Sequence, residues 1–241
     1  MIHKLWIAVV ISTLACTVLF SQDIDEEDLD FLEEELSEPA VTISDPLESI
    51  NRFMYNFNDA AYAHMIRPVS RGYKAVTPKP ARLGLRNFFS NLGAPIRFAN
   101  CLLQGKGDAA WIEMQRFLVN TTAGVLGFGD PALDRHGLSA VEEDLGQTLA
   151  TYGVGDGIYL VLPFLGPTTL RDSVGRIGDT FLSPVIYVEP TEAYLGISAL
   201  RLTNTYSIRG NEYEALKADA IEPYSAMKSA YIQYRKKKIE K

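Results

Sequence analysis

The chain has 241 residues, of which 47% are hydrophobic and 22% charged, proportions typical of a single globular domain. Its two cysteines, Cys16 and Cys101, exclude a disulfide-stapled fold, because Cys16 lies in an apolar leader and leaves Cys101 alone. The formal net charge of -7 is local: residues 23–38 hold ten acidic residues, and residues 39–241 carry 20 acidic and 22 basic residues.

Residues 1–21 are predicted to be a secretory or lipoprotein-type signal segment. Lys4 precedes an apolar run over residues 5–20, which is short for a membrane-spanning helix and typical of an export signal. Two endings fit the pattern. Either Cys16 is acylated after cleavage, as in a lipoprotein, or cleavage occurs near Ser21 and Cys16 is an ordinary leader residue.

Residues 22–43 are predicted to form a flexible acidic spacer, because a block of like charges repels itself. Its four large apolar residues leave open a second interpretation, in which the spacer docks as a short helix. These residues are Leu29, Phe31, Leu32 and Leu36.

Residues 44–235 are predicted to be an all-α domain, followed by a basic tail over residues 236–241. The first helix is expected to have Asp45 as N-cap and Pro46 at its first position, and to end at Arg67, before Pro68. Apolar spacing predicts further helices over 69–76, 81–91, 95–103, 108–122, 141–152 and 170–182. Two or three more complete the chain, with Pro223 dividing the last pair. The many internal Gly and Pro residues predict helices that bend around something rather than a straight bundle.

The segment "YGVGDGIYLVLPFLGPTTLRD", residues 152–172, does not fit the helical pattern. Its glycines lack the spacing of a dinucleotide-binding loop, and the apolar run that follows is too short to cross a bilayer. A second pattern, "GFGDPA" at residues 127–132, has no strand before it and so is not expected to bind a nucleotide either.

Catalytic and metal-binding patterns are not found. His64 and His136 lie in separate segments without metal-ligand spacing, and no serine has an evident base. We therefore expect no cofactor and no metal. The aromatic and basic C-terminal region suits either a membrane surface or a solvated helix end, and export argues against nucleic acid.

Several long blocks together resemble the MlaA (VacJ) family over residues 44–235. They are "DPLESINRFMYNFND", "PKPARLGLRNFFSNL", "PIRFANCLLQG", "RFLVNTTAGVLGFGD", "EDLGQTLATYGVGDGIYLVLPFLGPTTLRD" and "EPYSAMKSAYIQYR". The resemblance implies a helical ring in the inner leaflet of the outer membrane, with a central amphipathic channel. Such a protein removes misplaced phospholipids from the outer leaflet, does no covalent chemistry and needs no cofactor.

The resemblance also implies partners and site residues. The expected partners are phospholipid, a trimeric porin and a periplasmic lipid-carrier protein. A glycine-rich hairpin is expected to line the channel through Gly153, Gly155, Gly157, Tyr159, Leu160, Leu162, Pro163, Phe164 and Gly166. Arg171 and Asp172 are expected to be polar groups near the channel or, equally, a structural ion pair at a helix start. The matching motif in the first helix is Asn51, Arg52, Tyr55, Asn56 and Phe57.

Two other functions remain open from the residues. The first is a porin-binding structural scaffold, in which surface residues matter and channel residues do not. The second is a lipid-modifying enzyme such as a phospholipase or acyltransferase, for which His64 and His136 are the available bases.

Overall fold

The computed structural model describes residues 44–240, except for seven side chains of the penultimate helix, at 211–213, 215–216 and 218–219. The predicted leader with Cys16 and the whole of the predicted acidic spacer lie outside the described residues. The described chain is predominantly helical, as the sequence predicts, with one small sheet.

Ten α-helices and two strands follow one another along the described chain. Their bounds are α1 Glu48–Ala61, α2 Arg67–Val76, α3 Lys79–Leu92, α4 Ala94–Leu103, α5 Gly107–Thr122, α6 Pro131–His136, α7 Leu145–Thr151, β1 Tyr159–Leu162, β2 Gly166–Thr169, α8 Leu170–Thr180, α9 Thr191–Asp219 and α10 Pro223–Glu240. A π-helical turn, Tyr62–Ile66, joins α1 to α2, and a 3₁₀ turn, Pro184–Tyr187, precedes α9.

The prediction that the first helix ends before Pro68 is wrong. The π-helical turn carries the helix from α1 directly into α2, so that helical backbone is continuous from residue 48 to residue 76. A proline inside an α-helix clashes with the carbonyl four residues earlier. The wider π turn lies immediately before Pro68, at the second position of α2, and re-phases the hydrogen bonds there.

Asp45 is not the N-cap. The helix begins at Glu48, two residues later than predicted, with Leu47 in the N-cap position and no hydrogen bond to a capping side chain. The Asp45 carboxylate instead accepts a hydrogen bond from the Tyr224 hydroxyl and forms an ion pair with Lys228 of α10 at 3.3 Å. It therefore ties the start of the first helix to the last helix.

Two other boundaries differ from the prediction. The helix expected over 141–152 is only seven residues long, because Asp144 caps it by accepting from the Gln147 amide at 2.8 Å. Residues 131–136, expected to lie in loops, form the short helix α6, whose N-cap is Asp130. The last helix runs to Glu240, so residues 236–240 are part of it.

The interior of the described domain is unusually polar. One apolar cluster is small and lies between α1, β1 and α10: Tyr55, Tyr159, Val161, Tyr224 and Ile232. Many side chains that are usually exposed are buried instead, including the following: Asn51, Arg82, Asn100, Glu113, Arg116, Asn120, Asp144, Arg171, Asp172 and Arg235. Charged residues are rarely buried unless they are paired, so this interior depends on its ion pairs and hydrogen bonds.

Helices α7 and α8 cross at two glycines. A Cβ atom on Gly175 would lie 2.4 Å from the backbone nitrogen of Gly146, and a Cβ on Gly146 would lie 2.6 Å from an oxygen of Asp172. Both positions therefore require glycine. The close approach brings Asp144, before α7, and Asp172, in α8, to the same guanidinium group of Arg235.

Candidate functional site

A β-hairpin lies at the centre of the segment that the sequence singled out. Strands β1 and β2 are antiparallel, with Tyr159 opposite Thr169 and Leu162 opposite Gly166. The turn contains Phe164, whose φ of 63° is in the left-handed region that favours glycine, and Gly166 follows with φ of 75°. The hairpin is thus short and sharply turned.

Two asparagines of α1 hold the free edge of β1. The Asn51 amide donates to the Tyr159 carbonyl at 3.0 Å and accepts from the Val161 amide at 2.8 Å. Two helical turns later, Asn58 donates to the Leu162 carbonyl at 2.9 Å and accepts from the Phe164 amide. Each side chain satisfies backbone groups that a neighbouring strand would otherwise pair. The helix therefore substitutes for a third strand.

The two faces of β1 have different surroundings, because successive side chains of a strand point in opposite directions. Tyr159 and Val161 point into the core, and the Tyr159 side chain is completely buried against Tyr224. Leu160 and Leu162 point the other way and are half-buried. Tyr159 is a core residue, so we leave it out of the lining proposed below.

The loop before β1 carries the three glycines. Gly153 and Gly157 have φ of 85° and 70°, whereas Gly155 has no such requirement and a Cβ there would meet no atom within 4 Å. Backbone bonds from Leu170 to the Ile158 carbonyl and from Arg171 to the Asp156 carbonyl close the base of the loop. The loop is therefore anchored at its end, while Gly155 faces open space.

The remaining residues of the first-helix motif have separate roles. Tyr55 packs edge-on against Tyr224 in the core. Arg52 forms ion pairs with Glu48 and Glu222 and lies 4.3 Å above the Tyr224 ring. Asn56 and Phe57 are exposed, and the Phe57 ring contacts that of Phe164 at the hairpin turn, at 5.2 Å.

Arg171 and Asp172 belong to a buried ion cluster. Arg235 donates to both oxygens of Asp172, at 2.9 and 3.0 Å, and to both oxygens of Asp144, at 2.5 and 3.0 Å. Arg171 pairs with Asp172 at 3.0 Å, and the Tyr231 hydroxyl donates to Asp172 at 2.6 Å. The cluster joins α7, α8 and α10, which fits the interpretation of Arg171 and Asp172 as a structural pair.

Burial and charge act in opposite directions on the carboxylates of this region. Burial raises the pKa of Asp172, but the charge of Arg235, the Tyr231 hydrogen bond and Arg171 outweigh it, so the pKa is lowered. Among the described side chains, no cation forms an ion pair with Asp179. Burial raises its pKa to about 7, although it accepts hydrogen bonds from the Leu145 amide and from Asn100.

Sequence reasoning missed Asn58, Asp144 and Arg235. Asn58 follows Asn51 by seven residues, which places both on one face of a helix, and that spacing was a usable signal. Arg235 lies next to a run of three lysines and looked like part of a solvated tail. The sequence offered no sign that Arg235 alone is buried.

Large apolar side chains lie on the outside of the domain. Along α8, four exposed residues recur at helical spacing and form one stripe: Leu170, Val174, Ile177 and Phe181. Similar exposed residues lie on the continuous helix made of α1, the π turn and α2, on α5, and in the loop after α5: Ile50, Phe53, Phe57, Met65, Val69, Val76, Trp111, Leu118, Val125, Leu126 and Phe128. Surfaces of this extent mark contact with a membrane or another protein.

Other features of the described chain bear on its chemistry. His64 is exposed and hydrogen-bonds the Ala60 carbonyl four residues earlier at 2.8 Å, while His136 is exposed at the end of α6. Within residues 44–240, no three His, Cys, Asp or Glu side chains are grouped as metal ligands. None of the helices described is both long and apolar enough to span a membrane.

Comparison with known proteins places the chain in a family. Residues 43–238 match the family model described as MlaA lipoprotein. The chain is 37% identical to the "Intermembrane phospholipid transport system lipoprotein MlaA" of Escherichia coli, over 79% of this chain and 76% of that protein. The protein of the same name from Haemophilus influenzae is 31% identical, over 79% of this chain and 77% of that protein.

The fold agrees with these matches. A solved structure described with the words "Structural basis for maintenance of bacterial outer membrane lipid asymmetry" has a TM-score of 0.69 and 32% identity, and the match covers 82% of this chain and all of that one. A protein of Rickettsia bellii is 30% identical over 97% of this chain and 93% of its own length. The resemblance seen in the sequence is confirmed, and the chain belongs to the MlaA lipoprotein family.

Proposed function

We propose that this chain is the outer-membrane component of an intermembrane phospholipid transport system. It removes mislocalised phospholipids from the outer leaflet through an amphipathic channel and so maintains the lipid asymmetry of the outer membrane. The family match supports this assignment, and so do relatives whose names refer to intermembrane phospholipid transport. The structural observation that carries the proposal is the reversed polarity of the domain.

Polar side chains occupy the inside of the domain and large apolar side chains its outside. A water-soluble helical domain places them the other way round. Glu113 and Asp172 are at most 2% exposed, whereas Phe53 and Phe181 are each 64% exposed. This distribution suits a protein surrounded by acyl chains, whose helices enclose a polar path. It explains how the domain can reside in one leaflet without a spanning helix.

The hairpin and the glycine loop are our candidates for the wall of that path. Leu160 and Leu162 offer an apolar surface on the face of β1 that is turned away from the core. Gly155 is exposed and has no neighbouring atom where a side chain would begin. Irregular backbone of this kind is tolerated at membrane depth where it lines a wet cavity. A phospholipid needs both polar and apolar surfaces along its route, and this segment supplies the second.

The proposed partners follow from the family resemblance. A trimeric porin would hold the domain in the inner leaflet of the outer membrane, through part of the exposed apolar surface. A periplasmic carrier would receive the lipid on the other side. Lipoprotein-type acylation of Cys16 would add a membrane anchor to the affinity that the exposed apolar surface supplies. Mass spectrometry of the mature N-terminus distinguishes acylation from cleavage near Ser21.

Gly155→Trp tests the transport proposal. The new side chain begins in open space, because no atom lies within 4 Å of its Cβ and the backbone needs no left-handed angle, so the indole adds bulk at the loop with little expected strain. We expect outer-leaflet phospholipid, measured by its digestion with phospholipase added to whole cells, to rise to the level of a strain lacking the protein. The amount and the thermal stability of the protein should not change.

Gly196→Trp is the matched control. Gly196 is exposed on α9, has no left-handed angle and also has no atom within 4 Å of a new Cβ. Normal lipid asymmetry is expected for this variant. If Gly155→Trp also left asymmetry normal while the protein was folded and abundant, the conduit role of the loop would be excluded, and the scaffold function would be favoured.

A further inference from the structure

A stretch of 48 residues, 60–107, contains no acidic residue and eight basic ones. It covers the end of α1, the π-helical turn and helices α2, α3 and α4. The eight are Arg67, Arg71, Lys74, Lys79, Arg82, Arg86, Arg97 and Lys106. In a domain with nearly balanced charge, such a stretch concentrates positive potential on one part of the surface.

Half of these cations are used inside the fold. Arg67 pairs with Glu214 at 2.7 Å, Arg97 with Glu113 at 2.8 Å and Lys106 with Glu143 at 2.7 Å. Arg82 is buried and donates to backbone carbonyls, including that of Ser207 at 2.7 Å. These four groups need no external partner.

The other four lie on the two helices that meet at the turn after Val76, and we name them the basic corner: Arg71 and Lys74 on α2, and Lys79 and the half-buried Arg86 on α3. None of the last three has a carboxylate within 4 Å or a hydrogen bond among the described residues, and Arg71 reaches only Glu214, at 3.7 Å. Lys74 and Lys79 are exposed, as is every residue from 74 to 81 except Thr77. The corner therefore protrudes and carries charge that the fold does not neutralise.

Apolar side chains accompany these charges. Val76, directly at the turn, is 81% exposed, and Val69, on α2, is 59% exposed. Helix α2 thus carries cations and exposed apolar groups on its outer surface, which is the composition of helices that lie at a membrane interface. A helix that only faces water gains nothing from two exposed valines beside its lysines.

We propose that the basic corner binds the headgroups of anionic phospholipids at the membrane surface. The lysine and arginine groups would contact phosphate oxygens, while Val69 and Val76 reach the boundary between headgroups and acyl chains. The exposed apolar side chains of the corner are valines and not the aromatic anchors that are enriched in protein interfaces, so a lipid surface fits the corner better than an acidic protein. The inference rests on the proposed function in one respect, namely that a lipid bilayer lies next to the domain.

The test is binding of the full-length purified protein to vesicles, measured by flotation. One set of vesicles is phosphatidylcholine alone, and the other contains roughly a third phosphatidylglycerol. Each basic residue near an anionic surface contributes about fivefold to partitioning. We expect the triple variant Lys74→Gln, Lys79→Gln, Arg86→Gln to lose about tenfold or more of its binding to the anionic vesicles. Binding to phosphatidylcholine alone should not change.

The control removes one charge elsewhere, by Arg135→Gln, and is compared with the single variant Lys79→Gln, since both residues are exposed in the structure. Arg135→Gln should keep the preference for anionic vesicles, whereas Lys79→Gln should lose about fivefold of its binding to them. Equal losses in the two single variants, or no loss in the triple variant, would overturn the proposal. Flotation measures binding at equilibrium and not transport, so that a negative result here leaves the conduit proposal intact, and failure of Gly155→Trp leaves this one intact.

Discussion

Arg235 is the residue on which the buried ion cluster depends most. Replacing it by methionine keeps most of the length of the side chain and removes its charge. Asp144 and Asp172, exposed by 6% and 2%, then remain in the interior without the guanidinium that joins them. Arg171 still contacts Asp172 at 3.0 Å, whereas Asp144 loses both hydrogen bonds from the Arg235 guanidinium, at 2.5 and 3.0 Å.

The size of the effect has an upper bound from protonation. At pH 7 the variant can avoid a buried charge by protonating a carboxyl group, which costs about 4 kcal/mol for a group of ordinary pKa. Removal of one partner from a buried ion pair costs about 3–5 kcal/mol. We therefore expect Arg235→Met to lower the free energy of unfolding by about 3–4 kcal/mol, or the melting temperature by about 6–16 °C.

The assay is thermal or denaturant unfolding in detergent, with Lys236→Met as control. Lys236 is the next residue, is exposed and pairs only with Glu240 at 4.0 Å, so its replacement should cost less than about 0.5 kcal/mol. Adding Asp172→Asn to Arg235→Met should restore part of the loss, because it removes one buried charge. A loss no larger than that of the control, or no recovery in the double variant, would refute the reasoning.

The difference in stability between wild type and Arg235→Met should change with pH in a definite direction. The pKa of Asp172 is lowered in the folded protein, so its contribution to stability is present above its ordinary pKa and is lost as pH falls through the folded value. Without Arg235 this contribution becomes smaller, since only Arg171 and the Tyr231 hydroxyl still lower the pKa of Asp172. The stability difference between wild type and Arg235→Met should therefore be largest near pH 7 and should shrink below about pH 4.

Two further predictions concern other buried polar groups. Asn51→Asp should lower the free energy of unfolding by about 2–4 kcal/mol, because its carboxylate cannot donate to the Tyr159 carbonyl or to Asp45, whereas the exposed Asn56→Asp should be neutral; equal denaturation midpoints would contradict the role of Asn51. Burial raises the pKa of Asp179 from 3.8 to about 7, so the folded state binds more protons than the unfolded chain in this window and stability should fall as pH rises from about 4 to about 7. Unfolding titrations should show that fall in the wild type and not in Asp179→Asn.

Helical periodicity predicted the number and type of most elements, because apolar spacing and Gly or Pro boundaries are local signals. Pro68 shows where local rules fail. The clash that should end a helix is relieved by a π turn, and the helix that follows it, α2, packs against the distant α9. The prediction that Asp45 is the N-cap was wrong for a related reason, since Tyr224 and Lys228, which are distant in sequence, bind its carboxylate instead.

The candidate site was only partly predictable. The oddness of the glycine segment was visible, and β1 and β2 occupy its apolar half. Which of its residues face the core depends on strand alternation and on Asn51 and Asn58, which fix the register of β1 against α1. Burial of Arg235 depends on the crossing of α7 and α8 at two glycines, and such long-range geometry leaves no trace in the residues around position 235.

Reversed polarity and buried ion pairs have a common physical cause in the proposed setting. A domain surrounded by acyl chains gains little from burying apolar side chains, since lipid is as apolar as a protein core. Hydrogen bonds and ion pairs must therefore contribute much of the attraction between its helices. This explains why the ion cluster at Arg235 and the hydrogen bonds from Asn51 to β1 take the place of a large hydrophobic core. In the proposed transport, a polar interior would also cost a charged headgroup less free energy to enter than a hydrophobic core would, so that the interactions holding the fold would also serve transport.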